Sequence, residues 1–418
     1  MTSKILILTS AFLVLIGKAY GQYCTNESRY TEVQFFDSTE ITIGNDIQFG
    51  IANDHVGNPY TLLMDIYYPN LTIDPSPERP FIMIVHGGGF QGGDKNEGGI
   101  VDLCIFLAER GYVCASINYR LGWNTTNIYN QYRARYRAIQ DGHAAMRYIV
   151  NHAATYRIDT NWLFVGGQSA GAFLTMGMVY ADIDELDSLS LQYNPSASIS
   201  SELGGLYTSG NTLTDIYSIK GIFNNWGAVP SNEIDIDEMT PTIAFHGELD
   251  NTVLIDEENL AFITMYGSRK IHNELVASNV CSELTVDPTG GHGIYQNQLT
   301  VFRAQRASCF FKSIFCNNCS NFYTTEYTPS NCSTALTIVE NNAGSTIKVY
   351  PNPIENSFTI QGIKGALEIT IYNSVGQLIF TDEIFNGTVN TNLVSGLYFL
   401  HIKHIESNKS YATKFIKN

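Results

Sequence analysis

Between residues 60 and 315, short apolar runs alternate with longer stretches of helical period. Few architectures can absorb that pattern. Phe81-Ile82-Met83-Ile84-Val85 is apolar at every position and ends at glycines. A strand with no polar face must be covered on both sides. Thr61 to Tyr68, Tyr112 to Asn118, Trp162 to Val165, Ile219 to Phe223, Thr242 to Phe245 and Ser282 to Val286 read as further strands. Residues 98–110, 131–153, 255–278 and 297–315 read as helices, with another after the turn that follows Val165. Repeated strand–helix units predict a mostly parallel sheet with helices on both faces, an α/β fold. Residues 183–216, rich in Ser, Leu, Asp and Gly, interrupt the rhythm. An insertion there would sit over the carboxyl ends of the strands, so a small lid is expected.

Hydrophobic residues make up 44% of the 418 positions and charged residues 15%, which excludes a disordered chain and allows a full core. The net charge of −16 makes nucleic acid and anionic membrane surfaces poor partners. The charge is concentrated: residues 22–340 hold 16 basic against 35 acidic residues, a net of −19. Residues 1–21 start with Lys4, continue with a 13-residue apolar run and end on Ala19-Tyr20-Gly21, the pattern of a cleaved export signal. That run falls short of the roughly 20 residues needed to span a bilayer, so no transmembrane anchor is expected. Residues 22–316 are expected to form the α/β domain, 317–345 a linker rich in Asn, Ser and Thr, and 346–418 a small all-β sandwich of short alternating strands. Eight cysteines in an exported chain point to disulfides or core thiols, with connectivity open. A metal site at Cys316-Asn-Asn-Cys319 would need Cys309 and Cys332 as further ligands, and no metal is expected.

Gly167-Gln168-Ser169-Ala170-Gly171 lies between a strand and a helix, the setting of a sharp turn that exposes a nucleophilic serine. A serine hydroxyl needs a base, and the base an orienting carboxylate. On this motif the chain order is serine, acid, histidine. Asp250 follows one strand, 81 residues after Ser169, and His292 follows the next, 42 residues further on. Glu248 is the competitor for the acid. His246 precedes the acid and breaks the order, and His143 and His152 belong to the long helix. His86-Gly87-Gly88-Gly89-Phe90 follows the Phe81 to Val85 strand, and its glycines let backbone N–H groups approach an oxyanion. Gly88, Gly89 and Ala170 are the expected donors, with His86 a structural residue of the loop. Tyr119, Trp123, Tyr129, Tyr132 and Tyr136 either line a substrate pocket or pack a loop on the core.

Taken together, His86 to Phe90, Gly167 to Gly171, Asp250 and His292 resemble an α/β-hydrolase of the carboxylesterase kind, close to the hormone-sensitive-lipase-like and feruloyl-esterase-like groups, over residues 45–315. The resemblance implies a cofactor-free serine mechanism through an acyl-enzyme, acting on an ester substrate. Plant-polymer feruloyl or acetyl esters, aryl or short-chain esters and polyesters all remain open. A peptidase or amidase on the same fold, or a non-catalytic binding protein, are the alternatives. Ala170-Gly171-Ala172 departs from the bulkier, glycine-richer surroundings of prolyl-peptidase-like relatives. Val349-Tyr350-Pro351-Asn352-Pro353, Ser374-Val375-Gly376, Ser395-Gly396-Leu397-Tyr398 and Thr413-Lys414-Phe415-Ile416 resemble the type IX secretion sorting domain of Bacteroidetes. That resemblance implies outer-membrane secretion machinery as a partner, and secretion or cell-surface display.

Overall fold

The structure is a computed structural model that describes residues 23–24, 28–124, 127–235, 238–260, 262–332, 348–373, 378–385, 388–405 and 409–418. The export signal expected at 1–21 lies outside the described residues. The chain divides into two compact units between residues 333 and 334.

The first unit runs through β1 (Ile41–Asn53), β2 (Pro59–Pro69), β3 (Arg79–Val85), α1 (Gly98–Ala108), β4 (Val113–Ile117), α2 (Ile128–Asn151), α3 (Ala153–Tyr156) and β5 (Ile158–Gln168). It continues with α4 (Ala170–Tyr180), α5 (Ile183–Tyr193), α6 (Ile199–Leu203), β6 (Ile219–Asn225), β7 (Ala228–Pro230) and β8 (Thr242–Gly247). It closes with β9 (Glu257–Leu260), β10 (Ile263–Gly267), α7 (Ser268–Ala277), β11 (Ser282–Asp287), α8 (Thr300–Phe315) and β12 (Phe322–Thr324). Nine strands form one sheet in the order β1-β2-β4-β3-β5-β6-β8-β11-β12. The pairs β1–β2 and β2–β4 are antiparallel, and every pairing from β4 onward is parallel.

β3 shows why the sheet is central. All seven of its residues are buried. Phe81, Met83 and Val85 enter a core cluster with residues of α2 and α4, while Ile82 and Ile84 enter another with residues of α1 and α8. Successive side chains point to opposite faces, so an unbroken apolar run is what two covered faces require. On the second face Phe164 stacks on Phe311 with ring centroids 4.2 Å apart. α1 ends at Ala108, and the turn that follows it includes Gly111, whose φ of +105° suits glycine.

Three expectations need correction. Residues 255–278 are not one helix: β9 and β10 form a hairpin in register Leu260↔Ile263, β10 pairs with β7, and only Ser268–Ala277 is helical. The pairing partner lies more than 30 residues upstream, where a local hydrophobic period cannot register it. Residues 317–332 are not a linker: β12 extends the main sheet beside β11, in register Leu284↔Tyr323. Disulfides at Cys319 and Cys332 hold this segment in place of apolar burial. The sheet also starts earlier than residue 60, because β1 is an edge strand whose residues are mostly half-buried or exposed and carry little periodicity. The segment 183–216 divides in two. α5 begins at a capping box, in which Asp182 and Glu185 each accept the other's backbone N–H. Beyond α6 the chain returns to the β1 edge, where Gly210 O accepts from Ile51 N and Asn211 Nδ2 donates to Phe49 O.

The bridges are Cys24–Cys316, Cys281–Cys319 and Cys309–Cys332. Cys316 and Cys319 therefore take different partners, and Cys104 and Cys114 are buried thiols.

The second unit is all-β. One sheet joins β13 (Lys348–Tyr350), β14 (Ser357–Gln361) and β17 (Thr388–Asn390); the other joins β16 (Leu378–Phe385), β15 (Ala366–Asn373), β18 (Gly396–His404) and β19 (Lys409–Lys417). Leu367, Ile369 and Ile371 alternate into a core with Phe358, Leu400, Ile402 and Phe415. Thiol titration of the denatured protein should count two reactive cysteines without reductant and all eight after reduction. A count of four or more before reduction would contradict the three bridges.

Candidate active site

β5 ends in a turn that the neighbouring chain makes very tight. Ser169 adopts φ +51° and ψ −120°, and its amide donates to Asn225 O at 3.0 Å. A Cβ added at Gly167 would lie 2.2 Å from the Gly171 carbonyl carbon, and one at Gly171 would lie 2.3 Å from Val85 O. Both glycines are required by space, since the helix that follows Ser169 passes against β3 and β5.

The turn places the Ser169 hydroxyl 2.9 Å from His292 Nε2, and His292 Nδ1 lies 2.8 Å from Asp250 Oδ2. A carboxylate only accepts, so Nδ1 carries the proton and Nε2 is free to accept from the hydroxyl. Asp250 sits in the turn after β8 and His292 in the loop after β11, both at the carboxyl edge of the sheet. The Asp250 side chain is fully buried, whereas that of His292 is 26% exposed. Glu248, the alternative acid, instead pairs with Arg269.

Burial alone would raise the Asp250 carboxyl pKa. Hydrogen bonds from His246, the Val253 amide, His292 and the Thr252 amide outweigh it and hold the group well below the usual carboxylate range. Oδ1 accepts from Thr252 N at 2.8 Å and Val253 N at 3.0 Å. The sequence pattern passed over His246, whose Nε2 lies 3.2 Å from Asp250 Oδ2. A histidine ending the strand that delivers the acid was the available signal.

The glycine loop lies beside the turn. A Cβ on Gly87 would come within 3.3 Å of Ser169 Cβ. Gly88 has φ +98° and Gly89 φ +63°, and a Cβ on Gly88 would strike Gly92 O. Buried His86 stacks on Tyr119 with centroids 4.4 Å apart and places Nδ1 2.9 Å from Gly87 O. Tyr119 Oη donates to Gly87 O at 2.9 Å, and Trp123 Nε1 to Gly89 O at 3.1 Å. Two aromatic residues thus brace the loop, and Tyr136 donates to Gly204 O at 2.6 Å.

A cavity of about 300 Å³ opens at Ser169, Ala170, Gly89 and Phe90; Gly88 does not line it. Tyr132, Phe173, Leu189, Tyr193, Ile263 and Met265 are among the residues of its apolar wall. Leu189 and Tyr193 come from α5, the first half of the expected lid, and Ile263 and Met265 from the unexpected strand β10. Its buried cation, Arg135, is engaged by Glu233 through two 2.6 Å contacts.

The depressed Asp250 pKa has a stability consequence. A group lowered on folding contributes stability that is complete above its unfolded value, about 4, and that is lost as pH falls toward the folded value. The melting temperature of the wild type should therefore fall more steeply below about pH 4 than that of Asp250→Asn. Parallel curves from circular dichroism melts across this range would contradict the bonding pattern.

Comparison with known proteins places these observations. The BD-FAE family matches residues 64–203, and the secretion system C-terminal sorting domain matches residues 348–418. The neuroligin-like protein glit-1 of Caenorhabditis elegans is 30% identical over 125 residues, covering 28% of this chain and 16% of that protein, so the match spans about a sixth of its length. Among solved structures, a truncated carbohydrate esterase from gut microbiota is 18% identical with a TM-score of 0.45, covering 68% of this chain and 98% of the other. A thermophilic esterase from Thermogutta terrifontis is also 18% identical, with a TM-score of 0.43 over 66% of this chain and 93% of the other. The first unit thus has an α/β-hydrolase fold whose residues 64–203 match the BD-FAE family, and residues 348–418 match a type IX secretion sorting domain, which marks the chain for the cell surface or secretion.

Proposed function

We propose that this exported protein is a serine carboxylic ester hydrolase working through an acyl-enzyme. The observation that supports it most is the continuous relay from Ser169 Oγ through His292 to Asp250, at 2.9 and 2.8 Å, with Ser169 lining a cavity. Ser169 Oγ attacks the ester carbonyl while His292 Nε2 takes its proton. Asp250 holds the imidazole in the tautomer that accepts at Nε2 and stabilises the imidazolium that forms. The tetrahedral oxyanion is met by the N–H groups of Gly89 and Ala170, both of which line the cavity, rather than by Gly88, which does not; the start of α4 also favours negative charge. His292 then protonates the leaving alcohol. Water, activated by the same imidazole, releases the acid.

The cavity favours an uncharged, apolar or aromatic acyl group, because its wall is aromatic and aliphatic and its arginine is engaged by Glu233. Short-chain, aryl and feruloyl or acetyl plant-polymer esters fit this description. The small residues Ala170-Gly171-Ala172 around the nucleophile favour ester over peptide cleavage.

Wild-type protein should hydrolyse p-nitrophenyl acetate or butyrate, and methyl ferulate or acetylated xylan, faster than a peptide anilide, with no loss in EDTA. Ser169→Ala should lose about 10³-fold or more of that rate. Unchanged turnover in the mutant would overturn the assignment. For the tail, removing residues 347–418 should leave ester cleavage intact and retain the enzyme in the periplasm of a type-IX-competent host. Release of the truncated enzyme into the medium would contradict its role as the export address.

A further inference from the structure

Behind the acid lies a second chain of polar groups. His246, at the end of β8, has no solvent exposure. Its Nε2 lies 2.9 Å from Val253 O and 3.2 Å from Asp250 Oδ2. Both oxygens only accept, so Nε2 carries a proton and shares it between them. Its Nδ1 lies 2.7 Å from Ser268 Oγ, at the first residue of α7. Ser268 Oγ in turn accepts from Asn224 Nδ2 at 3.1 Å, and Asn224 Oδ1 accepts from Gly227 N at 2.9 Å. With His246 neutral, every donor in this chain has an acceptor: Asn224 to Ser268, Ser268 to His246, and His246 to Val253 O and Asp250.

We infer that His246 is a positioning residue for the proposed reaction, a second imidazole that fixes the Asp250 carboxylate so that Oδ2 faces His292. The inference rests on the serine-hydrolase reading given above. Asp250 Oδ2 accepts from His292 Nδ1 and lies 3.2 Å from His246 Nε2, whose N–H it shares with Val253 O, and Oδ1 receives two backbone amides. The backbone amides fix one oxygen and leave the carboxylate plane to be set. His246 supplies a contact from the core side, opposite the half-exposed His292. Val253 O and Asp250 place the proton on Nε2, and Ser268, donating to Nδ1, supports the same tautomer and ring orientation. The wrong tautomer would aim a lone pair at the carboxylate, repelling it and turning it from His292.

The test uses the full chain with three variants. His246→Gln keeps an amide N–H able to reach Asp250 and Val253; His246→Leu fills similar volume without one; Ser268→Ala leaves the imidazole but removes the hydroxyl that holds its Nδ1. Because a carboxylate misplaced by about 1 Å can cost about 10²-fold in rate, His246→Leu should lower kcat by about that factor with KM unchanged. His246→Gln should recover most of the loss, and Ser268→Ala should lie between them. If His246→Leu does not fold, as judged by its melting temperature, the Gln and Ser268→Ala pair carries the test. Equal kcat in Ser268→Ala and wild type, or equal losses in the Gln and Leu variants, would overturn the inference. Loss of all turnover in Ser169→Ala alongside wild-type kcat in the His246 and Ser268 variants would reject this role while leaving the serine mechanism standing. Retained turnover in Ser169→Ala would instead remove the mechanism itself.

Discussion

The whole site hangs on one backbone conformation, the left-handed turn at Ser169. For a residue with a side chain that conformation costs about 1–3 kcal/mol and persists only where its surroundings impose it. Here the imposition is mechanical. β5 is clamped between β3 and β6, the Ser169 amide is tied to Asn225 O, and α4 starts close enough to β3 that any Cβ at Gly171 would overlap Val85 O. The hydroxyl is thereby lifted off the sheet edge toward the loops that follow β8 and β11. Parallel neighbours end at one edge, so three side chains far apart in the chain meet without any long loop reaching across.

The acid and the histidine divide their burden between buried and open. A buried carboxylate is costly unless it is richly hydrogen-bonded, and Asp250 meets that demand with two amides and two imidazoles rather than with a cation. His292 keeps part of its ring exposed, with a side-chain exposure of 26%. The cavity walls come from outside the sheet: the start of α2, α5 and the β9–β10 hairpin. The Ser169–His292–Asp250 relay therefore sits on the rigid scaffold, while the cavity beside it is walled by appended elements.

Disulfides add to apolar burial near the ends of the first unit, where Tyr23 packs on Phe315. Cys24–Cys316 joins chain segments 292 residues apart, and the other two bridges pin the stretch carrying β12 to β11 and α8. Cross-links of this kind stabilise chiefly by restricting the unfolded chain. They suit a protein that its tail sends out of the cell, where thiols stay oxidised.

The strand runs, the serine turn, the glycine loop and the acid–histidine order were legible because each depends on short-range chemistry. An apolar run needs two covered faces, and a glycine is needed where a Cβ has no room. The sequence likewise announced the all-β tail through alternation at Leu367, Ile369 and Ile371. What remained hidden depends on partners distant in the chain: the β9–β10 hairpin that pairs with β7, the edge strands β1 and β12, the choice among disulfide pairings, and the contact of His246 with Asp250. A local pattern records the preferences of single residues. Pairing and hydrogen-bond direction are settled only when the sheet assembles and brings those groups within about 3 Å.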